Sequence, residues 1–109
     1  MAPSLTILSS MATRLMLAEL AGSYRNRHGL RVELEAVGGV DAARRVEAGE
    51  AFDLVVLADA ALARLVAAGF LDAGTVTPIA CADVAVAVRE GSALPAIATE
   101  SALREAVLA

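Results

Sequence analysis

Aromatic side chains are nearly absent: the 109 residues include one Tyr, two Phe and no Trp. A core without large rings has to be assembled from Ala, Val and Leu, which pack densely only where elements approach closely. Cysteine is as scarce. Cys81 stands alone, which excludes an intramolecular disulfide and any CxxC redox or zinc arrangement. Its apolar surroundings, with no basic neighbour in sequence, predict a buried and inert thiol. Positive charge is in deficit, because nine Lys and Arg face thirteen Asp and Glu and leave a formal charge of −4. A nucleic-acid binder carries a basic face that displaces counterions, so no DNA or RNA partner is expected. Mean hydropathy is high at +0.65, yet Arg, Glu or Asp interrupts every apolar stretch before the roughly 18–20 residues of a spanning helix. Met1-Ala2-Pro3-Ser4 shows no basic region ahead of an apolar one, so no export signal is read there. Also lacking are a carboxylate pair, a metal-ligand cluster, a nucleophile elbow and a P-loop. No glycine falls between Leu5 and Ala21 to form a GxGxxG turn. No enzymatic activity, metal or cofactor is expected.

What is present is a repeated alternation of strand and helix signals. Leu5 to Leu8 is a short β-favouring run, followed by Ser9-Ser10 and a helical segment with Leu17, Leu20, Ala21 and Tyr24 as its apolar face. Arg25, Arg27 and His28, then Gly29, predict the end of that helix near His28. Leu30 to Ala36 alternates with period two and reads as an outer strand with one wet face. After Gly38-Gly39, Val40 to Ala48 reads as a short helix with Val40, Ala43 and Val46 inward and the Arg44-Arg45 pair in solvent. Leu54 to Leu57 is apolar throughout, as a central parallel strand would be. Asp59 is placed to cap a helix that buries Leu62, Leu65 and Val66 and closes at Gly69.

Three strand-helix units in succession imply an α/β fold: a parallel, mixed-edge sheet with helices on both faces in three layers. Two further β-like runs, Val76 to Ala80 and Val84 to Val88, precede a Gly, Ser and Pro-bearing loop and a last helix over Ser101 to Ala109. Residues 1–80 are expected to form one α/β lobe. Residues 81–109 are expected to form a crossover strand and the start of a second lobe that is cut short.

In such sheets a ligand sits beyond the carboxyl ends of the strands. The segments there are Ser9, Ser10, Met11, Ala12 and Thr13; Gly38, Gly39, Val40 and Asp41; and Ala58 with Asp59. Each leads into a helix N-terminus, where N–H groups and the dipole favour an anion. Ser9, Ser10 and Thr13 could donate hydroxyls to a ligand or serve as ordinary caps. Gly38-Gly39 admits a close ligand or a plain tight turn, with the turn favoured. Asp59 reads better as a helix cap than as a ligand contact, and Arg14 better as a solvated guanidinium than as an anion contact.

The order of motifs resembles a known family. Leu5-Thr-Ile-Leu-Ser-Ser-Met-Ala-Thr, then Gly38-Gly-Val-Asp-Ala-Ala-Arg-Arg-Val-Glu-Ala-Gly49, then Phe52-Asp-Leu-Val-Val-Leu-Ala-Asp59, are similar to the opening half of type II periplasmic solute-binding proteins of the molybdate-binding group. The stretch from Val46 to Asp59 is its most specific part. The resemblance implies one lobe of a type II fold, with Ser9, Ser10, Met11, Thr13, Gly38, Gly39, Val40 and Asp59 around a small anion or polar solute. It also implies an ABC-transporter permease as partner and an extracytoplasmic location. The molybdate group presents serines at positions that correspond here to Ala12 and about Gly39, so a carboxylate or other small anion is an expected solute as well. The alternative is a cytoplasmic effector-sensing or protein-interaction domain of the same fold, dimeric through the segment from Val84 onward.

Overall fold

A computed structural model describes residues 4–109. It divides into two compact units, residues 1–77 and 78–109. The first holds three strand-helix repeats: β1 (Ser4–Ser10), a 3-10 turn (Met11–Thr13), α1 (Arg14–His28), β2 (Arg31–Val37), α2 (Gly39–Glu47), β3 (Leu54–Val56) and α3 (Asp59–Ala67), followed by a second 3-10 turn (Ala73–Thr75). The strands lie in the order β2-β1-β3 and both pairings are parallel. The sheet therefore carries no antiparallel edge among the described residues. β2 is an outer strand, as its alternation predicts. β3 is also an edge strand, not the central one, and Leu54 stands half exposed. The centre is β1, whose Ile7, Leu8 and Ser9 are buried.

Alternation along β1 and β2 sorts the two faces of the sheet. Leu8 and Val55 are in register and belong to the core cluster of Leu8, Ala42, Val46 and Leu65, so α2 and α3 cover that face. Val32, Leu34 and Ala36 of β2 face α1 on the other side. Three layers result. Of the apolar face expected for α1, Leu17 is buried, whereas Leu20 and Tyr24 stand exposed, because α1 lies chiefly over β2 and the sheet ends too soon to cover its far flank. In α2 the buried residues are Ala42 and Val46, and Val40 is exposed at the helix start.

Local signals fix the helix ends. Gly29 adopts φ 65° after His28, and its N–H bonds to the Arg25 carbonyl. α3 ends in a paired motif: the Gly69 N–H reaches the Val66 carbonyl and the Phe70 N–H the Leu65 carbonyl, with Gly69 at φ 85°. α2 ends the same way at Gly49 and Glu50. Arg45 is no solvated cation. It bridges Glu35 of β2 and Glu50 beyond the helix, and its guanidinium lies 5.4 Å from the centroid of the Phe52 ring. At the amino edge of the sheet, the Thr6 N–H and hydroxyl both donate to one carboxylate oxygen of Asp53, at 2.8 and 3.0 Å.

In the second unit, α4 (Glu100–Leu108) forms with Thr99 as its cap, the Ala102 N–H donating to the Thr99 hydroxyl. The runs Val76 to Ala80 and Val84 to Val88 form no strand among the described residues. A strand needs a neighbour to take its backbone hydrogen bonds, and these runs pair with none; Val84 is 99% exposed. Cys81, expected to be buried, is exposed for the same reason.

Candidate functional site

β1 and β2 run in register to Ser10 and Val37, and β1 and β3 to Ser9 and Val56. The carboxyl ends of all three strands therefore meet at one edge, and α1, α2 and α3 begin just beyond it. The chain leaves β1 toward the face of α1, and leaves β2 and β3 toward the face of α2 and α3. Such a divergence at the end of β1 is the place where parallel α/β sheets take ligands.

The candidate residues occupy this edge in different ways. Ser9 is fully buried; its hydroxyl donates to the Ser10 carbonyl at 2.7 Å and lies 2.7 Å from the Thr13 hydroxyl. With the Ser9 proton so engaged, the Thr13 hydroxyl donates to Ser9, and both side chains brace the turn from within. Ser10 precedes the 3-10 turn without capping it by its side chain, and Met11 is exposed. Gly38, Gly39 and Val40 are exposed at the start of α2.

Neither glycine is required by backbone geometry. Gly38 has φ −56° and ψ 145°, Gly39 is already helical, and a Cβ at Gly39 would meet no atom within 4 Å. The strand turns tightly into the helix through Gly38 alone, as expected, but no positive φ and no crowding within the chain calls for glycine here. Asp59 does not cap α3. The cap position is Ala58, without a side-chain hydrogen bond, and Asp59 stands exposed in the first turn, where its charge complements the dipole. Asp41 holds the same place in α2.

A contrast runs through the helix starts. The 3-10 turn at Ala73–Thr75 and helix α4 have side-chain caps, from Asp72 and Thr99. The 3-10 turn after β1 and helices α1, α2 and α3 have none. The first N–H groups of α2 (Gly39, Val40, Asp41) and of α3 (Asp59, Ala60, Ala61) are thus left without a side-chain acceptor at the edge where the strands end. Sequence reading singled out the side chains of this edge and passed over the amides of Ala60 and Ala61, which no side chain signals.

Arg14, at the first position of α1, lines a groove of about 410 Å³ between α1 and β2. His28 ends α1 with its ring 4.4 Å from that of Tyr24. Among the described residues no group of three or more His, Cys, Asp and Glu is placed to hold a metal ion, and no helix is long and apolar enough to cross a membrane.

A parallel α/β layer that gathers exposed helix N-termini at one edge is the architecture of a ligand-holding lobe. The chain belongs to the bacterial extracellular solute-binding protein family, whose model matches residues 5–108. Neither the curated proteins nor the solved structures contain a significant match to it.

Proposed function

We propose that this chain supplies one lobe of a type II solute-binding protein of an ABC transporter, similar to the molybdate binders, and that it holds a small anionic or polar solute at the carboxyl edge of its sheet. The absence of side-chain caps at α1, α2 and α3, against their presence at Asp72 and Thr99, carries the reading. N–H groups from Met11, from Gly39 to Asp41 and from Asp59 to Ala61 hold the solute, the Ser10 hydroxyl adds a contact, and Ser9 and Thr13 stiffen the turn. The open space at Gly39 lets the solute approach the backbone. The lobe binds and performs no chemistry, and an extracytoplasmic location and a permease partner follow from the same reading.

Two carboxylates shape the solute class. Asp41 and Asp59 sit in the first turns of α2 and α3 and offset part of the positive end of each helix. A solute with an acid group for the amides and a hydroxyl or ammonium donor for a carboxylate suits this edge better than a bare dianion. Ala12 and Gly39 bring no hydroxyl to discriminate molybdate from sulfate. Each helix end contributes about 0.3–1 kcal/mol, so a single lobe binds at millimolar strength or weaker, within reach of amide-shift titration.

The test is a pair of variants. Gly39→Asp places a charge at the start of α2, where an added Cβ has open space, and is expected to weaken binding of acetate and lactate about tenfold. Asp59→Asn is expected to strengthen binding of sulfate and molybdate about threefold. Unchanged affinities in both would exclude this edge as the site.

A further inference from the structure

The outer edge of β2 presents a second surface, independent of the solute reading. β2 pairs with β1 on one side only, over its full length from Arg31 to Val37. Its other side offers a row of backbone donors and acceptors, and no proline or bulge interrupts it. Against that edge runs the groove of about 410 Å³ lined by Arg14, Ala18, Ala21, Gly22 and Arg25 of α1 and by Val32, Leu34 and Ala36 of β2. Small residues on α1 leave the groove unfilled. Because α1 starts at the carboxyl edge of the sheet and ends at the amino edge, Arg14 and Arg25 mark its two ends, about 16 Å apart by the rise of a helix. Neither arginine joins an ion pair among the described residues, in contrast to Arg31 and Arg45.

We propose that this edge takes an added strand from another polypeptide, an extended segment of the pattern acid-x-apolar-x-acid. Backbone hydrogen bonds to β2 supply the attachment, and alternate side chains enter the groove. Same-face residues of a strand lie about 6.8 Å apart, so acids four residues apart span about 14 Å and reach Arg14 and Arg25, with the apolar residue between them against Leu34. The side chains on the other face meet Glu33 and Glu35, which Arg31 and Arg45 already neutralise, so small neutral residues fit there. A second copy of β2 is a poor occupant, since antiparallel pairing about Leu34 turns its own Val32, Leu34 and Ala36 toward the groove and brings no acid to Arg14 or Arg25.

The probe is the peptide Thr-Glu-Thr-Val-Thr-Glu-Thr, titrated into the nitrogen-15-labelled chain, with Thr-Lys-Thr-Val-Thr-Lys-Thr as control. Shifts over residues 31–37 and at the Nε groups of Arg14 and Arg25 are expected with the acidic peptide alone. Arg14→Ala and Arg25→Ala, both exposed helix positions, are each expected to weaken it about threefold with circular dichroism unchanged. Equal response to both peptides, shifts confined to Leu54–Val56, or no shift at all would overturn the proposal.

Discussion

Leu8 and Arg45 show what single residues contribute. Leu8 is fully buried at the centre of the sheet and packs with Ala42, Val46 and Leu65. In a core with so few rings nothing large can collapse into a void, so Leu8→Ala is expected to cost about 2–5 kcal/mol, read from urea unfolding. Val46 and Leu65 were legible from helical periodicity, and Leu8 only as part of the β-favouring run Leu5 to Leu8. Arg45 was not: its partners Glu35 and Phe52 lie on other segments, and only the fold brings them together. The hydrogen bond from Arg45 holds the Glu50 carboxyl below the ordinary glutamate range, against a smaller opposing effect of burial. A lowered folded value means that the ion pair adds stability above the ordinary range and loses it as the pH falls through the lowered one. The thermal midpoint of the native chain should therefore exceed that of Glu50→Gln near neutral pH, and the gap should close well below about pH 4. A gap that persists into acid would show that Glu50 acts by packing and not by charge.

Element boundaries divide into those written locally and those that depend on distant chain. The ends of α1, α2 and α3 were readable because each needs a left-handed residue and a glycine supplies it. Gly69→Ala at φ 85° is expected to cost about 1–2 kcal/mol, checked by thermal unfolding, whereas Gly39→Ala should cost little, since that position has ordinary helical geometry and open space. The start of α3 was misread by one residue, which moved Asp59 from cap to first turn. Val76 to Ala80 and Val84 to Val88 have the composition of strands and form none, because composition supplies the propensity and a neighbouring strand must supply the ladder. The placement of Leu54 to Val56 at an edge has the same origin. An apolar run tells that a strand can be covered on both faces, not which strands flank it.

At the scale of the whole first unit, the parallel pairing of β2, β1 and β3 brings three separate loops to one edge, and the order β2-β1-β3 sends α1 to one face and α2 and α3 to the other. The three segments of the candidate site were legible in sequence as strand-to-helix junctions. The division of labour among them was not, because a buried Ser9 and an uncapped helix start look alike in one dimension. The chain's membership of the extracellular solute-binding family supports a solute-binding role. We propose that the uncapped amides at the carboxyl edge hold the solute. The most direct measurement is an amide-shift titration of the folded chain with molybdate, sulfate, acetate and lactate. Weak, saturable shifts centred on residues 10–13, 38–41 and 59–61, largest for lactate, are expected. Shifts spread over the surface, or confined to the groove between α1 and β2, would contradict it.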